Sequence, residues 1–564
     1  MIAQYLIINL RRFGDIMTSA HLVSVLKKNE PNCRISFLVY EESIRAAQIL
    51  ADVDTIYAID RKKIATLKEN RIFSDAFALN LLTDTLEKVK AVSWKSIINT
   101  SNDFVSCYLL SYLTYENTNI FKGIRFNKFL NAQSSNRWAS TYNDILTSYK
   151  HTPIHFVDCF LGMANQWQIE LPLAKLHTNP DYDQSSRENF AKIRDRIGGK
   201  NKNIQLVAIQ LKASTIEKDI PFNSLIEFIN LLLDDPRLYP ILLVAPFENE
   251  RQYANELNQM FNNSLISVEA DFLAMNSVLK YVDILVTPDT SIKHQAELIG
   301  TPLLEISLGP SPFLRQGPVR DGNLVLTPAL PYRSWFEKTD IAHDVIISGQ
   351  DIFLALKIRL GFESSKENVQ FTHHLSLYQA KRDSCGTHYN CIKGEQNLNH
   401  ELTRCLANYF LLKLHGLNAN LVLSFTYTEN EDRQIFEWLS IQKQNITEVT
   451  QELLGTLRCL LQFNKATFNP NQFINSLEKL LSFTEKDELS TLAILFFRAE
   501  LEQMERKNTL ENIKTTENML YLLKDDLALL VNIFNEFENM IRNLRKAGRQ
   551  PQKSKEGQDG TTGQ

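Results

Sequence analysis

Two aspartates far apart in the chain occupy the same local setting, an apolar run that ends where a helical pattern begins. The first lies in Leu6-Ile-Ile-Asn-Leu-Arg-Arg-Phe-Gly14-Asp15-Ile-Met-Thr, the second in Asp283-Ile-Leu-Val-Thr-Pro-Asp289-Thr290-Ser291-Ile-Lys293-His294. Each places a carboxylate at the carboxyl end of a strand, the edge where open α/β sheets bind ligands. Two chemistries are open to Asp15. As a helix N-cap it accepts the orphan amide hydrogens of the first turn, and Gly14 lets the backbone turn tightly before it. As a general base it would be held at the strand edge, facing an inter-domain cleft. Asp289, Thr290 and Ser291 pose the same choice, between capping a helix and leaving its amides and dipole free to hold a phosphate. Lys293 and His294 sit in the first turn, where the dipole disfavours cations. Either an anion lies near them or Lys293 points to solvent.

Two further strand ends carry charge. Gln210-Leu-Lys212-Ala-Ser214-Thr-Ile-Glu-Lys218 is a polar loop with two lysines, readable as a solvated loop or as an anion-binding one. Val244-Ala-Pro-Phe-Glu248-Asn-Glu250 starts a helix with carboxylates that could bond ribose hydroxyls or merely decorate the helix start.

The elements around these residues alternate. Up to about residue 178, apolar runs (Tyr5–Leu10, Asn32–Val39, Thr55–Ile59, Ile97–Thr100, Ile120–Gly123) interleave with helical stretches (Ile16–Lys28, Glu42–Leu50, Asp158–Gln168), the pattern of a parallel sheet covered by helices. Residues 179–203 are polar and glycine-bearing, as in a domain connection. Alternation resumes over 204–361 with Gln205–Gln210, Phe222–Leu233, Pro240–Ala245, Glu248–Phe261, Ile284–Thr287 and Leu303–Ser307. The fold class is therefore α/β, with two Rossmann-like halves. Apart from a strand-like run at Asn420–Thr426, residues 362–545 read as amphipathic helices: Leu402–Leu414, Thr447–Leu461, Phe473–Leu481, Leu489–Met504 and Thr509–Leu544. The last is long enough for a helix pair or a coiled-coil arm. Residues 546–564 are polar and core-poor, the signature of a disordered tail. The basic stretch that runs into it, Arg542 to Lys555, suits either solvent or an anionic lipid surface.

Composition bounds the function. A chain of 564 residues, 44% apolar and 22% charged, has room for about three to four globular domains. A net charge of −4 gives no reason to expect nucleic acid as a partner. Seven scattered cysteines, the closest pair Cys385 and Cys391, predict reduced thiols in a cytoplasmic protein rather than a zinc site. No run approaches the roughly 18 apolar residues of a membrane span, and the N-terminus, apolar before it is basic, is a core strand rather than a secretory signal.

Taken in order, these segments resemble glycosyltransferase family nine, the ADP-heptose:lipopolysaccharide heptosyltransferases and their relatives. The resemblance spans about residues 1–345. It is carried by Leu6–Thr18, Phe37-Leu-Val, Val53-Asp-Thr-Ile, His155-Phe-Val-Asp158, Ala213-Ser214 through Lys218 to Pro221, Glu248, Thr287-Pro-Asp-Thr through His294 to Gly300-Thr-Pro302, Leu308-Gly-Pro310 and Gly317-Pro318. It implies a GT-B architecture, an acceptor domain (1–178) and a nucleotide-sugar donor domain (204–361) facing across a cleft. It further implies inverting, metal-independent transfer from a nucleotide-diphosphate sugar, with no resident cofactor, to a saccharide or glycolipid of the cell envelope. By carry-over Asp15 is the general base, Lys218 neutralises the diphosphate and Glu248 contacts the ribose. Ser214 completes the Lys218 loop, Asp289 holds sugar hydroxyls, and Thr290, Ser291 and His294 bind phosphate. The chain departs from the family pattern at Ser291, where glycine is usual, at Lys293, commonly apolar, and at Gln210-Leu211. The expected location is cytoplasmic, with peripheral contact at the inner-membrane surface through the basic stretch as the alternative to a solvated tail, and the helical extension is available for protein contacts. Two rivals stand beside it: a silent relative that scaffolds through that extension, and a sugar-nucleotide epimerase.

Overall fold

The computed structural model describes residues 2–68, 74–149, 151, 153–198, 204–309, 311–328, 347–365, 370–425, 431–463, 468–486, 488–505 and 507–546. They fall into two compact units, Met1–Glu395 and Gln396–Gln564.

The first unit holds two parallel sheets. In one, β1 (Gln4–Ile8), β2 (Arg34–Tyr40), β3 (Thr55–Ile59), β4 (Ser96–Asn99) and β5 (Phe121–Lys122) run in the order β3-β2-β1-β4-β5, with a small hairpin, β6 (Ile124–Phe126) and β7 (Ala132–Ser134), beside it. Leu6 and Ile8 pack into one core with Leu38, Ile97 and Leu110, and Ile7 between them is equally buried. Burial on both faces is why β1 reads as a continuous apolar run.

The second sheet has eight strands: β8 (Gln205–Gln210), β9 (Leu238–Val244), β10 (Ile266–Glu269), β11 (Ile284–Pro288), β12 (Leu303–Ile306), β13 (Leu324–Pro328), β14 (Leu375–Asp383) and β15 (Gly386–Gly394). Their order is β10-β9-β8-β11-β12-β13-β14-β15, parallel through β13 and antiparallel beyond it. Val207 and Ile209 enter the core on one face, Leu206 and Ala208 the core on the other, the two-residue period of a strand buried on both sides. Each sheet reverses its strand order once, between β1 and β4 and between β8 and β11. Crevices form at such reversals, outside the strands' carboxyl ends. Asp15 follows β1, the Lys218 loop follows β8 and Asp289 follows β11, so all three stand at a reversal. This is the expected α/β class with two Rossmann-like sheets.

Three readings of the sequence change. Pro180–Gly198 is an α-helix rather than an irregular connection, most of its charged residues exposed, and 199–203 lie outside the described residues. Residues 375–394, read as part of a helical extension, are the β14–β15 hairpin. Its apolar residues go to two cores and are interrupted by polar ones in both strands, so it shows no apolar run. Residues 420–425 are not a strand, and Thr426 lies outside the described residues.

The hairpin is fastened to the first sheet's helices by a buried ion pair. Arg382 on β14 donates to Asp158 Oδ1 at 2.6 Å, while Asp158 Oδ2 accepts from the Thr387 amide at 2.8 Å. The same guanidinium donates to the carbonyls of Gln168 and Ile169. Asp158 belongs to the helix Phe156–Met163, and both side chains are almost fully buried.

The second unit is helical: Leu398–Leu414, Asp432–Leu460, Pro470–Ser482, Leu489–Gln503 and Thr509–Lys546. The last is one continuous helix. It packs along Asp432–Leu460 and Leu489–Gln503 through Leu520, Leu523, Leu527, Leu530, Phe534, Phe537 and Ile541. A helix clothed on its apolar stripe by neighbours is a bundle member, not a free arm. The tail beyond Lys546 lies outside the described residues. Among the described residues no helix is long and apolar enough to cross a membrane.

Breaking a buried ion pair strands the surviving charge, which costs about 3–5 kcal/mol. Asp158→Ala should therefore lower the stability of the Met1–Glu395 unit by about that amount in guanidinium denaturation of the full chain. A loss below about 1 kcal/mol, as for an exposed pair, would show that Arg382 does not fasten the hairpin.

Candidate active site

The two aspartate turns meet. Helix Phe13–Asn29 packs against helix Ser291–Ile299, and the rings of Phe13 and Phe272 stand 4.8 Å apart. Gly14 lies within the first helix, so its role is not to turn the chain. A Cβ at that position would sit 3.3 Å from His294 Cδ2, and glycine is what lets the two helices approach.

Asp15 is the third residue of its helix, not the N-cap, which is Arg12. One carboxylate oxygen accepts from the Arg12 amide at 3.2 Å; among the described residues the other has no hydrogen-bond donor. Asn9, buried at the end of β1, fixes the turn by donating to the Asp15 carbonyl at 3.1 Å and to Ser19 Oγ at 3.2 Å. Burial raises the Asp15 carboxyl above its ordinary value against the pull of Arg11 and Arg12, and the Asp289 charge adds to the rise. The structure thus contains the helix-start bond and a second, available oxygen.

At the facing turn the capping role is not taken up. Thr290 is the N-cap residue, yet its side chain makes no bond to the helix; its hydroxyl donates to Gln210 Oε1 at 2.6 Å, as does that of Thr287 at 2.8 Å. Asp289 is held by two ammonium groups, Lys218 on Oδ2 at 2.5 Å and Lys293 on Oδ1 at 2.6 Å. Lys293 reaches on to Glu305 Oε1 at 3.2 Å. Lys293 therefore does not point to solvent: it is fully buried, and the anions beside it are Asp289 and Glu305.

These neighbours drive the two carboxylates apart. Burial would raise Asp289, but Lys293 and Lys218 together hold it well below the ordinary carboxylate range. Burial dominates at Glu305 and pushes it up to about 7 despite Lys293. Burial would also lower Lys293, and the two carboxylates outweigh it, so the ammonium stays charged. His294 is buried beside Lys293, which keeps its imidazole neutral.

Lys218 reaches Asp289 because its loop is braced. Lys212, the other lysine of that loop, is occupied: it pairs with Asp219 at 3.0 Å and lies over the Tyr253 ring. The Lys218 stem runs over Gly309, where a Cβ would fall 2.5 Å from Lys218 Cγ; Pro310 beside it lies outside the described residues.

Of the residues singled out in the sequence, Gly14, Asp15, Lys218, Asp289, Thr290, Ser291 and His294 come together. Ser214 and Glu248 do not join the ion-paired cluster. Both are exposed, and Glu248 accepts from Gln252 at 3.1 Å; Glu250 turns inward instead, to the Ala245 amide at 2.8 Å. Glu305 and the organising role of Gln210 were missed. A glutamate inside the buried strand Leu303-Leu-Glu-Ile was the available signal, since an unpaired charge is too costly there. Among the described residues no group of three or more His, Cys, Asp or Glu side chains is arranged to hold a metal ion.

Lipopolysaccharide heptosyltransferase 3 of Escherichia coli is 20% identical over 305 residues, 53% of this chain and 81% of that protein. The resemblance read from the sequence is borne out. Among solved structures similar to this heptosyltransferase-like chain is a glycosyl transferase family 9 protein from Veillonella parvula (14% identity, TM-score 0.48, 64% of this chain and 98% of that one). Another is E. coli ADP-heptose LPS heptosyltransferase II (14% identity, TM-score 0.42, 64% and 99%). No protein-family profile matches the chain.

A carboxyl with a raised folded value binds its proton more tightly in the native state. Between pH 4.5, the ordinary Glu305 value, and about 7, stability therefore falls as pH rises. Glu305→Gln should gain on wild type across that window by on the order of 3 kcal/mol. Urea denaturation at both ends of the window measures it, and a difference independent of pH would contradict the assignment.

Proposed function

We infer that this chain is an inverting glycosyltransferase of the heptosyltransferase type, moving heptose or a similar sugar from a nucleotide-diphosphate donor to a saccharide of the cell envelope. One observation carries the reading. A carboxylate with a raised affinity for protons faces a lysine-bearing anion site across packed strand-order reversals of two Rossmann-like sheets. The curated sequence relative supports the substrate class.

The chemistry follows from the charges. The free oxygen of Asp15 takes the proton of the acceptor hydroxyl as that oxygen bonds the anomeric carbon. The bond from that carbon to the donor phosphate breaks on the opposite face, and its electron pair leaves with the diphosphate, so the anomeric configuration inverts. Lys218 and the first amides of helix Ser291–Ile299 lie where that negative charge grows, which makes transfer without a metal feasible. In this reading Asp289 accepts sugar hydroxyls, while Ser291 and the Thr290 turn hold phosphate. His294, buried and neutral, donates or accepts a hydrogen bond rather than a charge. Glu248 and Ser214, exposed at the rim, contact the donor's ribose and phosphate. Lys293 does not argue for a silent scaffold, because it keeps Asp289 ionised and oriented.

The test is transfer itself, with ADP-, GDP- and UDP-sugars and envelope saccharides, read by mass spectrometry of the product. Asp15→Asn should lower kcat by about 10²–10⁴ and leave the fold intact. Because Asp15 acts ionised and its proton affinity is raised, the wild-type rate should fall on acidification at a pH above the ordinary carboxyl range, and the variant should lack that limb. Wild-type turnover in Asp15→Asn would eliminate the base; no turnover by wild type with any donor would favour the silent scaffold.

A further inference from the structure

The donor-site reading gives Lys218 to the diphosphate, yet in the structure Lys218 is bound to Asp289. The two ends of Asp289 are not equivalent. Lys293 holds Oδ1 from a fully buried position, on the first turn of the helix that follows, and is itself tethered to Glu305 on β12. Lys218 holds Oδ2 from the end of the short helical turn Ile216–Lys218, in a loop whose neighbours Ser214 to Glu217 are exposed. One contact is built into the core, and the other comes from the end of a surface turn whose preceding residues are exposed.

We propose that Lys293 is a positioning residue that secures Asp289 through one oxygen, so that Lys218 can exchange from the other oxygen to the diphosphate of an arriving donor. Exchange leaves Asp289 with one fixed cation and one freed oxygen, available to a sugar hydroxyl. Without Lys293 the carboxylate would present an uncompensated charge to the incoming anion and hold Lys218 more firmly, and both effects oppose diphosphate binding. Glu305 lets the buried ammonium exist in the core, and its oxygen Oε2, buried without a hydrogen bond, shows how little else is there to compensate it. The departure at Lys293 is then a specific device of this chain.

The proposal rests on the donor-site reading, and the experiment separates the two. ADP, GDP and UDP are titrated calorimetrically into the full chain, and the best of them is carried forward. The paired variant Lys293→Met/Glu305→Gln removes the buried cation together with its counter-charge, which spares the fold an orphaned glutamate. It should bind the nucleotide about tenfold more weakly, the equivalent of one charge-assisted hydrogen bond. Asp289→Asn alone, which releases Lys218, should bind more tightly than wild type. In the Asp289→Asn background the Lys293→Met/Glu305→Gln change should have almost no effect, because Lys293 acts only through Asp289. A purely structural Lys293 would weaken binding equally in both backgrounds, and that result would overturn the inference while leaving the donor site standing. Should the paired variant not fold, Asp289→Asn decides alone: weaker or unchanged binding overturns the exchange. Absence of binding by wild type to all three nucleotides would overturn the donor-site reading and this inference with it.

Discussion

The candidate site depends on how one carboxylate is shared. Asp289 divides its oxygens between an ammonium sealed in the core and one carried on an exposed loop. A carboxylate removed from water needs such partners, since burial alone would favour its neutral form. The neighbouring Glu305 shows the alternative, a carboxyl whose one bonded ammonium does not outweigh its burial. Two acids within one cluster are thereby given different proton affinities, a recurrent way in which folds divide labour between like groups.

The rest of the first unit brings the second carboxylate into register with the first. Both sheets reverse strand order beside the turns that matter, and the absence of a side chain at Gly14 lets helix Phe13–Asn29 settle on His294. The buried Asp158–Arg382 pair and the bond between His155 and the Gly317 carbonyl, 3.1 Å, tie the sheets together away from that contact. Local rigidity here is a matter of buried polar groups finding partners across the two sheets, which fixes geometry because each partner is costly to lose.

Much of this was legible in the sequence because the signals were local. Continuous apolar runs gave β1, β8 and β11, and the Gly14-Asp15 and Pro-Asp289-Thr turns stood at their ends. Capping chemistry was legible only as a choice: Asp15 does bond the Arg12 amide, whereas Thr290 turns to Gln210, a residue from another strand. Lys293 looked misplaced because the dipole argument concerns its own helix, and its partners include a strand residue some distance along the chain. The β14–β15 hairpin escaped notice because polar residues interrupt the apolar ones in both strands, so neither shows an apolar run, and its stabilising partner, Asp158, lies far away in sequence. What sequence patterns miss are the pairings that tertiary structure alone creates.

The central claim is that the Lys218 loop and the first turn of helix Ser291–Ile299 receive the diphosphate of a nucleotide sugar. Hydrogen–deuterium exchange of the full chain, with and without ADP, GDP or UDP, tests it most directly. The account predicts slowed exchange confined chiefly to the amides of residues 213–218 and 290–294 with at least one of the three nucleotides. Saturating nucleotide that leaves those amides unchanged, or protects a different region, would contradict it.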